Sequence, residues 1–325
     1  MFTSHRCIAV GTKTGYYLYA INSLDRAELV YSQRRDFILN FLLKNHSVFF
    51  NIANENVVLV ERLLSTRLVA LVNQAQVRKM RVCYLQHGTE IVNYSYANSI
   101  LAIKMNRQRL VVCLEESIFI HNMSDMKILH TIRDTPPNKL GLVALSCGQN
   151  VDAASLLAYP GSSQTGEVQV FDTISLRAVA SVPAHNSPLA AIAFNSEATR
   201  LATASEKGTV IRVFSIPEGQ KVFEFRRGMK RNVNITCLSF VLNSAFLCAS
   251  SDMETIHVFK LEEPKDAMPA SVTQQQTWTD YFSSIVKQSA NYLPSHVGDV
   301  LHQDRAYLTA KLQQTATRTY CTVNM

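Results

Sequence analysis

The chain has 325 residues, of which 47% are hydrophobic and 18% charged, enough apolar material for a large core and too much for a disordered protein. Thirty-two Lys and Arg against 25 Asp and Glu give a formal charge of +7, an excess that favours an anionic partner, whether nucleic acid, acidic protein or anionic membrane. The seven cysteines are scattered, odd in number and never spaced as CxxC, which argues against a disulfide framework and a zinc site and implies a reducing, cytoplasmic setting.

No secretory signal is expected at Met1–Arg6, because no apolar core of the right length follows. Short β-type runs then recur after turn signals: Tyr16–Tyr19, Val82–Leu85, Ile118–Ile120, Val168–Phe171, Ile211–Phe214 and Ile256–Phe259. The last three are copies of one pattern. Phe171 and Phe214 are 43 residues apart, and Phe214 and Phe259 are 45 apart, which is the repeat length of a four-stranded propeller blade. Each run is expected to be followed by one more strand, as Gln220–Phe225 follows the turn Pro217-Glu218-Gly219. The expected fold is therefore all-β, a WD-repeat-like β-propeller forming a single domain over 1–325. The Trp-Asp dipeptide of WD repeats is absent, and Ala184-His185 stands where such repeats carry Gly-His. A buried histidine tying strands together and a ligand-binding histidine are both open for His185.

Two stretches interrupt the repeat. Residues 34–56 form an atypical insertion whose apolar part, 37–52, is too short and too polar to span a bilayer. Residues 262–304 form a long loop. Within it Trp278, Tyr281, Phe282, Ile285, Val286, Tyr292 and Leu293 fall on one face of an amphipathic helix, with Thr277 as N-cap and Pro294 as its end. That face either packs on the propeller or lies in a membrane headgroup layer.

The stretch that concentrates chemistry is Phe225-Arg226-Arg227-Gly228. Neighbouring strand residues leave opposite faces, so the two arginines point into different surroundings. Arg grips phosphate bidentately and stays charged, and Gly228 permits a sharp turn. Taken alone, two solvated arginines at a strand end would look the same. The context Leu201–Phe214, with Asn106–Leu110, Cys113–Ser117, Leu157–Gly161 and Thr255–Leu261, closely resembles the PROPPIN family of phosphoinositide-binding β-propellers, in particular its animal WIPI branch.

The resemblance implies a seven-bladed fold, whose final blade is expected to be incomplete here, and it implies two lipid pockets. The first would gather His185, Ser205, Lys207, Thr209, Arg212 and Arg226, and the second Arg227, Ser250, Ser251, Thr255 and His257. Ordinary turn chemistry remains the alternative for Ser250, Ser251 and Thr255. It further implies binding of phosphatidylinositol 3-phosphate and 3,5-bisphosphate, with the 262–304 loop facing the membrane through Trp278, Tyr281, Phe282, Ile285 and Val286. Arg107 and Arg109 would contact a coiled-coil autophagy protein of the lipid-conjugation machinery. The expected role is a reversible effector in autophagosome assembly, cytoplasmic and peripheral on preautophagosomal and endosomal membranes. No cofactor or metal is implied.

Enzyme signatures are absent: the chain has no GxSxG, HExxH, GxxxxGK[ST] or GxGxxG. The rival expectation is a propeller scaffold that binds acidic proteins without lipid selectivity. Nucleic acid is disfavoured because the basic residues are not interleaved with an aromatic platform.

Overall fold

A computed structural model describes residues 7–12, 15–23, 26–34, 56–64, 66–84, 89–147, 154–228, 232–241, 244–253, 255–261 and 306–311. These form six consecutive antiparallel sheets, with one turn of 3₁₀-helix at Gln74–Gln76. The first sheet holds β1 (Cys7–Thr12), β2 (Gly15–Ser23) and β3 (Arg26–Arg34). The second holds β4 (Val57–Arg62), β5 (Leu68–Asn73), β6 (Lys79–Tyr84) and β7 (Thr89–Ser95). The third is β8 (Ala102–Met105), β9 (Arg109–Cys113), β10 (Ser117–Asn122) and β11 (Ile128–Arg133). The fourth is β12 (Ala144–Leu145), β13 (Leu156–Pro160), β14 (Gly166–Asp172) and β15 (Arg177–His185). The fifth is β16 (Leu189–Phe194), β17 (Arg200–Ser205), β18 (Val210–Ser215) and β19 (Lys221–Arg226). The sixth is β20 (Ile235–Phe240), β21 (Phe246–Ser251), β22 (Thr255–Lys260) and β23 (Leu308–Lys311).

Within each sheet the strands pair in chain order, and the first strands of successive sheets lie beside one another: β1 by β4, β4 by β8, β8 by β12, β12 by β16 and β16 by β20. This is the blade arrangement of a β-propeller. The recurring runs of the sequence are third strands: Val168–Phe171 lies in β14, Ile211–Phe214 in β18 and Ile256–Phe259 in β22. Residues 35–55 of the 34–56 insertion and all of the 262–304 loop lie outside the described residues, as does everything after Lys311.

The burial pattern follows from position in the blade. Second strands are covered by neighbouring blades on both faces, so Leu201, Ala202, Thr203 and Ala204 are all buried, as are Leu110–Cys113 and Leu247–Ser251. Third strands alternate: Ile211 and Val213 are buried while Arg212 between them is partly exposed, as period-2 geometry requires. The core is accordingly a series of wedges between blades. The wedge between the fifth and sixth sheets holds Ile211, Val213, Phe223, Phe225, Leu247 and Phe259, with the Phe225 and Phe259 rings 4.8 Å apart. Burying a side chain of this size stabilises by about 2–3 kcal/mol.

Polar clasps also join the blades. Asn106 Nδ2 donates to the Ser146 carbonyl and to Ser155 Oγ in the next sheet. Asn195 Nδ2 donates to Ser244 Oγ at the following blade, and Arg200 Nη1 to the Ser244 carbonyl. Buried amides of this kind are tolerated because their hydrogen bonds are made.

Candidate functional site

The fifth blade carries both arginines, and strand register decides what each one meets. Thr203 pairs with Arg212 across β17–β18, Arg212 with Glu224 across β18–β19, and Val210 with Arg226. Paired residues share a face, so Thr203, Arg212, Glu224 and Arg226 lie on one side of the blade. Ile211 and Phe225, one residue along, lie on the other and enter the wedge with the sixth blade.

The Arg226 face is turned towards the end of β15. Arg212 Nη1 donates to the Ala184 carbonyl at 2.6 Å, while its Nε contacts Glu224 Oε2 at 2.7 Å. Lys221 Nζ reaches the same oxygen at 2.7 Å. Burial alone would raise the Glu224 carboxyl, but Lys221 and Arg212 hold it at about 2. His185 is buried, with Nε2 hydrogen-bonded to Thr203 Oγ1 at 2.9 Å. Burial, then the nearby Arg212 charge, lowers its imidazole to about 4, so it is neutral at physiological pH. His185 thus makes an inter-blade hydrogen bond at the edge of the arginine cluster.

The turn between β17 and β18 completes the first cluster. Ser205 is buried, Lys207 is exposed and Thr209 is half-buried. Gly208 has φ +58°, and a Cβ there would lie 1.7 Å from the Val233 carbonyl oxygen, so glycine is required by backbone handedness and by close approach together.

This turn also holds the second arginine. The Arg227 backbone N–H donates to the Thr209 carbonyl at 2.9 Å, and its Nε to the Gly208 carbonyl at 2.7 Å. Burial lowers the Arg227 guanidinium while Asp252 supports its charge. His257 of the sixth blade is lowered by burial and then by Arg227, which places the two within electrostatic reach. His257 bridges Thr255 Oγ1 (3.2 Å) and Thr309 Oγ1 (3.1 Å). The structure thus brings Arg227, Thr255 and His257 together. Ser250 and Ser251 are each 1% exposed at the end of β21; Ser250 pairs with Ile256 and so faces away from Thr255 and His257, its Oγ 3.5 Å from Thr236 Oγ1, while Ser251 Oγ accepts from the Met253 N–H.

Thr203, Glu224, Asp252 and Thr309 belong to these clusters and are not among the residues singled out in the sequence. Glu224 was accessible as the same-face neighbour of Arg226, and Thr203 as that of Ser205. Thr309 was hidden by the 52-residue separation from His257.

Arg107 and Arg109 lie elsewhere and differ from each other. Arg107 is exposed on the turn between β8 and β9. Arg109 Nε donates to the Thr173 carbonyl of the fourth blade and Nη1 to the Gln108 carbonyl, which makes it an inter-blade tie. The Gln108 carbonyl also accepts from the Met123 N–H. Met123 lines a groove of about 520 Å³ with Leu63, Leu68, Tyr84, Ile91 and Met126, and with Thr66, Ser124 and Asp125 as its polar part. Lys104 contacts Glu61 at 3.8 Å. Trp278, Tyr281, Phe282, Ile285 and Val286 lie outside the described residues. Their segment leaves at the end of β22 and returns at the start of β23, the outermost pair of the sixth blade.

Fold and site together define a WD-type β-propeller with two arginine-centred clusters on either side of one blade. The chain belongs to the PROPPIN family, whose model matches residues 2–325. It is 51% identical over 316 residues to WD repeat domain phosphoinositide-interacting protein 2 of Mus musculus, covering 97% of this chain and 66% of that one. It is 39% identical over 313 residues to Autophagy-related protein 18 of Caenorhabditis elegans, covering 94% and 71%. Among solved structures, Kluyveromyces lactis Hsv2 with its complete loop 6CD superposes with TM-score 0.67 at 18% identity, over 98% of this chain and 83% of that one. KlAtg21 in complex with the coiled-coil of AgAtg16 gives 0.63 at 26% identity, over 83% and 87%. The chain spans 64–66% of the length of the phosphoinositide-interacting protein 2 relatives.

Proposed function

We propose that the chain is a reversible phosphoinositide effector, a binding protein without a reaction of its own, acting at membranes where autophagosomes form. The observation that carries this is the division of Arg226 and Arg227 between two polar clusters. One faces the fourth blade with Arg212, Thr203 and His185. The other faces the sixth with Thr255 and His257. Guanidinium groups beside hydroxyls and neutral imidazoles suit a phosphorylated inositol ring, which offers anionic oxygens and free hydroxyls. Its relatives are named as phosphoinositide-interacting and autophagy-related, which supports the same reading.

In this reading the first pocket comprises His185, Ser205, Lys207, Thr209, Arg212 and Arg226. The second comprises Arg227, Ser251, Thr255 and His257. The ligands are phosphatidylinositol 3-phosphate and 3,5-bisphosphate. The 262–304 segment enters the headgroup layer through Trp278, Tyr281, Phe282, Ile285 and Val286. Two pockets on one rigid blade make the second binding event intramolecular, raising avidity by about 10²–10⁴ over a single site.

A second contact recruits protein. Exposed Arg107 offers a positive charge to an acidic helix, and KlAtg21 was solved with a coiled-coil. We assign this contact to a coiled-coil partner of the autophagy machinery.

The test is co-sedimentation with liposomes carrying phosphatidylinositol, its 3-phosphate, its 4-phosphate or its 3,5-bisphosphate. Selective pelleting with the 3-phosphorylated lipids is expected. A folded chain that ignores all four would leave the protein-scaffold reading standing.

A further inference from the structure

The second arginine cluster contains a chain of hydrogen bonds whose direction decides what it can offer an anion. His257 sits between two hydroxyls, with Nε2 3.2 Å from Thr255 Oγ1 and Nδ1 3.1 Å from Thr309 Oγ1. Register sets this up: Thr309 of β23 lies directly across from His257 of β22, and Thr255, two residues back along β22, shares that face. Burial and then the Arg227 charge lower the imidazole below its ordinary range. At neutral pH the ring is therefore uncharged and carries one ring proton.

A neutral imidazole donates from one nitrogen and accepts at the other, so the chain can run in only two directions. With the proton on Nδ1, the ring donates to Thr309 and Nε2 accepts the Thr255 O–H. Thr255 then turns its lone pairs to the pocket, which repels an anion. With the proton on Nε2, the ring donates to the Thr255 oxygen, and the Thr255 O–H is released to donate outwards. Nδ1 then needs a donor of its own, and the Thr309 hydroxyl is in place to supply it. Linked donors also polarise one another, which makes the outward O–H a better donor to a phosphate oxygen.

We propose that Thr309 is a positioning residue of the second pocket: its O–H donates to His257 Nδ1, holds the ring proton on Nε2, and so frees the Thr255 hydroxyl to donate to a bound phosphate group. This role rests on the phosphoinositide reading above and adds how a pocket hydroxyl is turned towards its ligand. Thr309 reaches His257 because β23 returns to pair with β22 after the 262–304 connection.

The experiment uses the full chain with its histidines labelled at the ring nitrogens, with and without a short-chain, water-soluble phosphatidylinositol 3-phosphate. Long-range proton–nitrogen correlation spectra distinguish the bare from the protonated ring nitrogen. The signals missing in His257→Gln assign His257 among the nine histidines. The lipid-bound parent should show His257 protonated at Nε2 and bare at Nδ1. Thr309→Val should shift the ring proton towards Nδ1 and weaken lipid binding about fivefold, the equivalent of one hydrogen bond. Thr309→Ser keeps the hydroxyl and should restore both. In an Arg227→Thr background, where the second pocket is already lost, Thr309→Val should change binding by less than about twofold.

A lipid-bound parent with His257 protonated at Nδ1, or at both nitrogens, overturns the inference and leaves the phosphoinositide reading intact. So does a folded Thr309→Val variant that binds as the parent does, or one that binds more weakly with the ring proton still on Nε2. A parent chain with no preference for the 3-phosphate over phosphatidylinositol overturns both. If Thr309→Val fails to fold, Thr309→Ala carries the same expectations, and the tautomer of the lipid-bound parent decides the matter without any variant at Thr309.

Discussion

Gly208→Ala is the sharpest single perturbation available, because one turn supports the backbone of the first cluster and the side chain of the second. The new Cβ would sit 1.7 Å from the Val233 carbonyl oxygen at a residue with φ +58°. The clash is with backbone, so no rotamer change relieves it. The left-handed conformation costs an L-residue about 1–2 kcal/mol. Moving the turn away from Val233 breaks the Val233 N–H to Lys207 carbonyl bond and the Arg227 Nε to Gly208 carbonyl bond, about 1 and 2 kcal/mol respectively. Loss of unfolded-state freedom offsets this by about 0.5–1 kcal/mol. The net destabilisation is about 3–4 kcal/mol, which for a domain of this size lowers the melting midpoint by about 5 °C. Thermal denaturation followed by circular dichroism reads the stability, and liposome pelleting at a temperature where the variant is folded reads the site. A variant that melts within a degree of the parent, or that melts early yet binds 3-phosphorylated lipid as tightly, would refute the claim that this turn positions Arg227.

Other expectations follow from single contacts. His185 is held near 4, against an ordinary value of 6.5, so the unfolded chain takes up a proton first as pH falls. Its contribution is fully present above pH 6.5 and fades towards pH 4, by about 3 kcal/mol in all. Chemical denaturation across that range should show the slope, and His185→Gln should flatten it. Arg109→Ala should cost about 2 kcal/mol by removing the charged bond to the Thr173 carbonyl. Arg107→Glu should leave the melting midpoint unmoved while cutting pulldown of a coiled-coil partner. Reduced pulldown by Arg109→Ala at full stability would reverse these assignments. Asn195→Ala should cost about 2 kcal/mol by opening the clasp to Ser244, measured by denaturant titration, and should spare lipid pelleting.

The blades were legible because one strand in four repeats visibly. Val168–Phe171, Ile211–Phe214 and Ile256–Phe259 share the alternation of a third strand, and the structure places them in β14, β18 and β22. Strand alternation also set Arg226 and Arg227 towards opposite faces. What alternation cannot supply is the partner across a blade boundary. That Arg212 is engaged by the Ala184 carbonyl depends on how β15 approaches the fifth sheet. That Arg109 is an inter-blade tie depends on Thr173, 64 residues away. Ser250 and Ser251 read as site hydroxyls from their place beside Thr255, yet they close a second strand that is covered on both faces. Thr309 reaches His257 only because β23 pairs with β22 across a long connection.

The central claim is that two adjacent arginines serve two separate anion pockets, and single substitutions test it most directly. Liposome pelleting with phosphatidylinositol 3-phosphate should be measured for Arg226→Thr, Arg227→Thr and the double variant, each checked for folding. Two independent pockets predict that each single variant retains weakened, lipid-selective binding and that only the double variant loses it. Full loss in either single variant would mean one shared site, and undiminished binding by a folded double variant would remove the arginines from the site altogether.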